Sequence, residues 1–166
     1  MKRNLIFMNG EFTEITTMGI KFLTIAFIAE NGKELYLELE CSRINMSLWA
    51  EENVLPIMNR NMITEEKAKQ KIIEFIKENY GEDKPVLVAD VNQLLWNGIC
   101  TLFDNINPFF HIPIDFSTIL FTKNIDIDVD RIQLAKDLGV NTKGFKENNV
   151  LIDTRVLKAC WDKLQK

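Results

Sequence analysis

The sequence is poor in the residues on which several kinds of catalysis depend. It contains one histidine, His111, which lies between aromatic residues and prolines in the segment "NPFFHIPIDF". A Ser-His-Asp or Cys-His mechanism would have to use that residue, and no nucleophile-elbow motif accompanies it. Because a histidine in such a setting more often packs in a loop, these nucleophilic mechanisms are disfavoured.

Cysteine and long apolar runs are also scarce. Cys41, Cys100 and Cys160 are isolated in the sequence and form no CxxC pair. They are typical of buried, reduced thiols, in contrast to a metal site or a disulfide framework. No apolar run reaches the roughly 18–20 residues of a membrane span, and Asn9 and Glu11 cut the first run too short for a signal peptide. The sequence therefore predicts a cytoplasmic protein that does not engage a membrane.

The charge balance argues mildly against strong, non-specific binding of nucleic acid. The net charge is −4 and the isoelectric point is about 5.1, whereas such proteins usually carry a basic surface. A local basic groove stays open as an alternative. The length of 166 residues and the eleven phenylalanines are enough for a buried core, so we expect one domain spanning residues 1–166.

The order of predicted elements indicates an α/β domain with a mixed sheet. A strand at "LIFMNGEF" precedes a hairpin whose turn, Asn31-Gly32, tolerates the positive φ angles of a type I′ turn. A helix begins after Thr64 and ends at Gly81. A buried strand "KPVLVAD", a helix "VNQLLWNGICTLFDNI", a strand at "STILF" and two helices, "DVDRIQLAKDLGV" and "NNVLIDTRVLKACWDKLQ", follow. A three-strand meander followed by alternating helices and strands predicts a mixed sheet flanked by helices.

Acidic and amide side chains stand at the ends of these elements. Asn9 and Glu11 are two residues apart on the first strand and therefore point to the same face. Asp90 closes a buried strand and Asp153 lies in the first turns of the last helix. Carboxylates that converge in this way can hold divalent cations for phosphodiester hydrolysis. Simpler interpretations stay open, namely a solvated acid for Glu11, a helix cap for Asp90 and a helix-dipole partner for Asp153.

Four segments resemble, in order, the motifs of a known family. "NGEFT" (9–13) is similar to "DTEFT", "FLTIAFIAENGKELY" (22–36) to "LISIGLVAEDGRELY", "ADVNQLLWNGICTLF" (89–103) to "SDSPxYDWxLLxxLF", and "NNVLIDTRVL" (148–157) to "HNALxDARxL". The family is the small bacterial 3′–5′ exoribonuclease-like branch of the DEDD exonucleases, which have the ribonuclease H-like fold. The resemblance covers most of the chain and implies that fold, with Mg²⁺ or Mn²⁺ as the family's cofactor.

The chain departs from that family at three positions that carry chemistry. The family's first metal-binding aspartate falls at Asn9, a much poorer ligand for a hard cation. Its second aspartate falls at Leu95, which binds no metal. Its general-base histidine falls at Asn148, which cannot accept a proton near neutral pH.

The acids that remain are too few for a pair of metal ions. Glu11 and Asp153 keep the family's acids, and Asp90 matches the outer aspartate of the middle motif. Two Mg²⁺ ions are normally balanced by about four carboxylates together with the substrate phosphate. The resemblance therefore implies at most one weakly held Mg²⁺ or Mn²⁺, on Glu11 and Asp153.

The sequence thus predicts a catalytically degenerate, exonuclease-like protein that binds a macromolecule. The ligand would be RNA or single-stranded DNA, or a protein partner, and no individual nucleic-acid-binding residue is assigned. A first alternative is a weakly active or rewired 3′–5′ exoribonuclease that uses Glu11, Asp90 and Asp153 with an unassigned base. A second is an assembly module whose function is independent of the cleft.

Two further features have simpler interpretations. The segment "DIDVDR" (126–131) superficially resembles a calcium loop, but Arg131 occupies the position at which the loop needs glycine. An acidic start to the next helix is the better interpretation. Trp49, Trp96 and Trp161 could stack on bases, although the helical spacing of the last two favours the core.

Overall fold

The computed structural model describes residues 4–16, 19–41, 46–104, 106–145 and 149–165. The strands are β1 (Leu5–Thr16), β2 (Gly19–Ala29), β3 (Glu34–Leu39), β4 (Met62–Ile63), β5 (Val86–Ala89) and β6 (Ile114–Asp115). The helices are α1 (Leu48–Asn53), α2 (Glu65–Tyr80), α3 (Asn92–Phe103), α4 (Phe116–Thr122), α5 (Arg131–Asp137) and α6 (Val150–Leu164). A 3-10 turn, Leu55–Ile57, follows α1.

The strands form one mixed sheet of six strands in the order β4-β3-β2-β1-β5-β6. β1, β2 and β3 are antiparallel, whereas β5 runs parallel to β1 and β6 parallel to β5. The predicted α/β class and three-strand meander are therefore confirmed. The hairpin lies where predicted, but its turn is not of type I′. Gly32 has a φ of 85° and donates to the Ala29 carbonyl at 2.9 Å, whereas Asn31 does not have the positive φ that a type I′ turn also requires there.

Two apolar layers lie on opposite faces of the sheet because neighbouring residues of a strand point to opposite sides. Ile6 and Met8 of β1 are buried beneath α2 and α3. Phe7, between them in sequence, is buried on the other face beneath α4, α5 and α6. Asn9 and Glu11 continue the Phe7 side, so they face the α6 layer.

The segment "STILF" is a helix, and the prediction of a strand there was wrong. Its β-branched and aromatic residues favour a strand by propensity. Asp115 decides the matter, because its carboxylate accepts from the Thr118 amide at 3.1 Å and so caps α4. Capping and the burial of Phe116 and Leu120 under the sheet outweigh the local preference.

The thiols are more varied than predicted. All three cysteines are free, but only Cys160 is buried; Cys41 is half-buried and Cys100 is exposed. Among the described residues, no helix is both long and apolar enough to cross a membrane.

Candidate functional site

An open pocket of about 310 Å³ lies between β1, the end of β5 and the first turns of α5 and α6. Its lining consists of Asn9, Asp90, Asp130, Arg131, Ile132, Asp153 and Leu157. The structure therefore brings together three of the residues singled out in the sequence, on β1, after β5 and on α6. We call this pocket the cleft.

Asn9 reaches the cleft from β1, but part of its amide is already engaged. Its Oδ1 atom accepts a hydrogen bond from the Gly10 amide of the same strand at 2.8 Å. An amide oxygen carries no net charge and is a weaker ligand for a hard cation than a carboxylate. The engaged geometry makes Asn9 a poor metal ligand.

Asp90 is bound by a guanidinium from a distant part of the chain. Arg131 donates from Nε to Asp90 Oδ2 at 2.5 Å and from Nη2 to Oδ1 at 3.0 Å. The Ser117 hydroxyl also donates to Oδ1, at 3.0 Å. Such a two-pronged contact is strong and directional, and the Asp90 side chain is only 16% exposed. Asp90 is therefore committed to neighbours within the protein, and it does not cap α3, whose N-cap residue is Val91.

Arg131 also forms hydrogen bonds to the backbone of the segment that precedes α5. Its guanidinium donates to the backbone carbonyls of Ile127 and Val129, the former at 3.0 Å. Asp130 caps α5 by accepting from the Gln133 amide at 2.7 Å, as the acidic helix start in "DIDVDR" predicted. Sequence reasoning missed the role of Arg131, because its partner Asp90 is 41 positions away and no local pattern links them.

Asp153 lies in the first turn of α6 and faces the cleft. Asn149 caps this helix by accepting from the Ile152 amide at 3.1 Å. A negative charge so close to a helix N-terminus is favoured by the helix dipole. Asn148, the position of the family's general base, lies outside the described residues.

Glu11 faces the same side as Asn9 but is not among the residues that line the cleft. Burial raises the pKa of its carboxyl to about 7. In the β1–β2 register it lies opposite Thr24, whose hydroxyl is buried and has no hydrogen-bond partner in the described structure. Thr24 in turn lies opposite Glu38 of β3, a residue 3% exposed. The result is a polar row across three strands, beside the cleft.

Leu95, at the position of the family's second aspartate, is part of the hydrophobic core. It is 2% exposed and belongs to the layer beneath α2 and α3. It does not line the cleft. A carboxylate at this position of the present backbone would be placed among apolar side chains.

The single histidine and the tryptophans lie outside the cleft lining. His111 is exposed, with its ring 4.4 Å from that of Phe110. Trp96 and Trp161 pack against the two core layers, as their spacing predicted. Trp49 on α1 is 48% exposed.

The available donors do not fit a pair of metal ions. Asn9 accepts from the Gly10 amide, Asp90 is held by Arg131, and Leu95 is in the core. Glu11 and Asp153 are the family's acids that remain. Among the described residues, no group of three or more His, Cys, Asp or Glu side chains is arranged to hold a metal ion.

Comparison with known proteins identifies the fold. No protein-family model and no curated protein sequence matches the chain. A full-length 3′-exonuclease superposes with a TM-score of 0.69 at 12% identity, covering 98% of this chain and 82% of that one. Exonuclease I from Methylocaldum szegediense gives 0.60 at 12% identity, covering 98% of this chain but 40% of its own length. A chain from the structure of the yeast NOT1 MIF4G domain co-crystallized with CAF1 gives 0.61 at 9% identity, with coverages of 99% and 79%.

These similarities show that the chain has the fold of 3′-exonucleases, a ribonuclease H-like α/β domain, as the sequence motifs implied. Identities of this size carry no statement about activity.

Proposed function

We propose that this chain is a non-catalytic protein of the exonuclease fold that binds a macromolecule at the cleft without cutting it. The observation that supports the proposal is the engagement of Asp90 by Arg131. The guanidinium thereby engages the one further cleft carboxylate that could have joined Glu11 and Asp153 in holding a cation for phosphodiester hydrolysis. The absence of an aspartate at Asn9 and Leu95 points in the same direction.

The charge of the lining separates the two classes of ligand. Among the described residues of the lining, the acids are Asp90, Asp130 and Asp153, and the one cation is Arg131. Without a metal ion, such a surface repels a phosphodiester backbone more than it attracts it. A nucleic acid bound here would therefore bind weakly and with strong dependence on salt, whereas a basic protein segment would be attracted.

The test is a binding titration with labelled single-stranded RNA and DNA at low salt. Asp130→Asn serves as the probe of location, because asparagine caps a helix as well as aspartate does while one negative charge is removed. If the nucleic acid occupies the cleft, Asp130→Asn binds it about two- to fivefold more tightly. Asp128→Asn removes an exposed acid outside the lining and should leave the affinity unchanged. Flat titrations for both nucleic acids would exclude them as ligands and leave a protein partner as the ligand to test.

A second candidate is a weakly active, metal-dependent 3′–5′ exoribonuclease. The observation that favours it is the half-buried Glu11 carboxyl opposite Thr24, whose hydroxyl has no hydrogen-bond partner among the described residues, since a cation would offset the cost of burying that charge. One Mg²⁺ or Mn²⁺ on Glu11 and Asp153 would then raise the melting temperature, and Glu11→Gln would remove the effect.

Cleavage itself decides between the two candidates. We expect 3′- and 5′-labelled RNA to stay intact with Mn²⁺ and with EDTA. Trimming from the 3′ end that requires Mn²⁺ and is lost in Asp153→Asn would overturn the non-catalytic proposal and establish the second candidate.

A further inference from the structure

A second pocket, of about 330 Å³, lies beside the 3-10 turn and β4. It is lined by Cys41, Met46, Leu55, Arg60 and Met62. It shares none of these residues with the cleft. Burial raises the pKa of the Cys41 thiol, so the thiol is neutral at physiological pH. The described walls are therefore apolar and rich in polarizable sulfur, which adapts to varied ligand shapes, and Arg60 is the one charged residue among them.

The backbone of Arg60 is held in an uncommon conformation. Its φ angle is 64°, in the left-handed region that side-chain-bearing residues seldom adopt. The amides on either side are fixed by one carboxylate, because Asn59 N and Asn61 N donate to Glu38 Oε1 and Oε2 at 2.6 and 3.0 Å. Glu38 is 3% exposed and also accepts from the Tyr36 hydroxyl at 2.9 Å.

A buried carboxylate thus clamps both sides of a strained arginine. Residues fixed in such conformations by their surroundings are concentrated where proteins hold ligands. The clamp positions Arg60 at the pocket without touching its side chain. Glu38 is therefore a positioning residue for whatever the pocket takes.

The guanidinium of Arg60 has no carboxylate partner among the residues that the structure describes. None of the ion pairs or side-chain hydrogen bonds found in the described part of the chain involves it. Guanidinium groups recognise carboxylates through paired, charge-assisted hydrogen bonds. Ligand pockets typically combine apolar walls with a few such polar groups that fix orientation.

We propose that this pocket binds a small amphipathic anion, with its carboxylate on Arg60 and its hydrocarbon body between Cys41, Met46, Leu55 and Met62. Charge complementarity selects the head group, since Arg60 is the one charge in the described lining. The apolar walls select the body. The site is independent of the cleft and does not rest on the function proposed above.

The probes are three compounds with the same alkyl chain and different head groups: octanoate, octan-1-ol and octylamine. Binding is followed by titration calorimetry, below the concentrations at which these compounds form micelles. We expect saturable binding of octanoate, weaker binding of octan-1-ol, and none of octylamine, which is a cation at neutral pH. Equal binding of all three, or no saturable binding of octanoate, would overturn the proposal.

Two variants locate the interaction. Arg60→Gln removes the charge and should weaken octanoate about tenfold, to the level of octan-1-ol, with octan-1-ol itself unaffected. Arg60→Lys keeps the charge and should keep part of the affinity. Lys67→Gln removes an exposed cation of α2 outside the pocket and should change nothing. Octanoate binding that survives Arg60→Gln unchanged would refute the assignment of the head group.

The role of Glu38 is tested by a measurement that distinguishes positioning of Arg60 from general support of the pocket. Glu38→Gln should lower the octanoate affinity while leaving that of octan-1-ol unchanged, because only the placement of Arg60 is altered. Loss of both affinities together would show that the pocket itself had collapsed and would contradict a positioning role.

Discussion

At the scale of single residues, the contact between Asp90 and Arg131 joins two oppositely charged side chains that are both largely shielded from water. The two side chains are 16% and 23% exposed, so each would be left charged and poorly hydrated without the other. Removing one partner of a largely buried pair costs more than the pair contributes. Arg131 also bonds two backbone carbonyls, which makes it the more sensitive of the two positions.

Arg131→Met should lower the free energy of unfolding by about 2–4 kcal/mol, because Asp90 loses its counter-charge and two carbonyls lose a donor. Urea denaturation measures this change. The exposed pair of Lys77 and Glu82 at the end of α2 is the control, and Lys77→Met should cost less than about 1 kcal/mol. Equal losses in the two variants would contradict the structural role of Arg131.

Glu11 makes stability depend on pH. Its pKa is raised from 4.5 to about 7 in the folded protein by burial. Between these values the folded state holds a proton that the unfolded state has released, so stability falls as the pH rises through this window. A shift of this size corresponds to a loss of about 3 kcal/mol. Glu11→Gln should remove this part of the slope in urea denaturation between about pH 4.5 and 7; an unchanged slope would contradict the assignment.

At the scale of elements, the sequence predicts best where a local signal coincides with the tertiary role. Asn31-Gly32 marks the hairpin, and Thr64 and Gly81 mark the two ends of α2 as the structure has them. The segment "STILF" is the opposite case, since its strand propensity conflicts with a helix cap two residues upstream, at Asp115. Asp115 is the last residue of β6 and also the N-cap of α4. No sequence signal predicts that the chain changes from strand to helix at this residue.

Asp115→Ala should lower the free energy of unfolding by about 1–2 kcal/mol, because the Thr118 amide loses its cap and Thr118 Oγ1 loses a 2.9 Å contact. Asp115→Asn keeps an acceptor at the cap and should lose much less. Urea denaturation separates the two. An equal loss of unfolding free energy in Asp115→Ala and Asp115→Asn would mean that the charge of Asp115 stabilises the protein and that its hydrogen bond to the Thr118 amide does not.

At the scale of the whole molecule, the fold could be predicted from ordered motifs, but the state of the cleft could not. The positions of Asn9, Asp90 and Asp153 on three different elements follow from the parallel pairing of β1 with β5 and from the docking of α6. Arg155 of α6 helps to hold that helix against the sheet, because its guanidinium donates two hydrogen bonds to the carboxylate of Glu34 in β3, both at 2.7 Å. Whether a cleft side chain is engaged by another side chain depends on contacts between distant segments, as between Asp90 and Arg131. No local sequence pattern predicts such contacts.

The core position of Leu95 bears on any attempt to restore catalysis. Asn9→Asp should leave the fold intact, because the site borders an open pocket. Leu95→Asp should unfold the protein or lower its stability by several kcal/mol more than Leu95→Ala, which costs about 2–5 kcal/mol. Thermal melting of Asn9→Asp, Leu95→Ala and Leu95→Asp tests this order. A well-folded Leu95→Asp would mean that α3 can turn this position towards the cleft, and its RNA-trimming activity with Mn²⁺ would then be worth measuring.

The arginine beside Asp90 differs from a metal ion in one respect that matters to a cell. A bound ion has a dissociation constant and can be exchanged, chelated or depleted, so a metal-dependent site follows the supply of its ion. The guanidinium is part of the polypeptide and has no such equilibrium. The positive charge that faces Asp90 is therefore supplied at synthesis and does not depend on the free magnesium or manganese concentration.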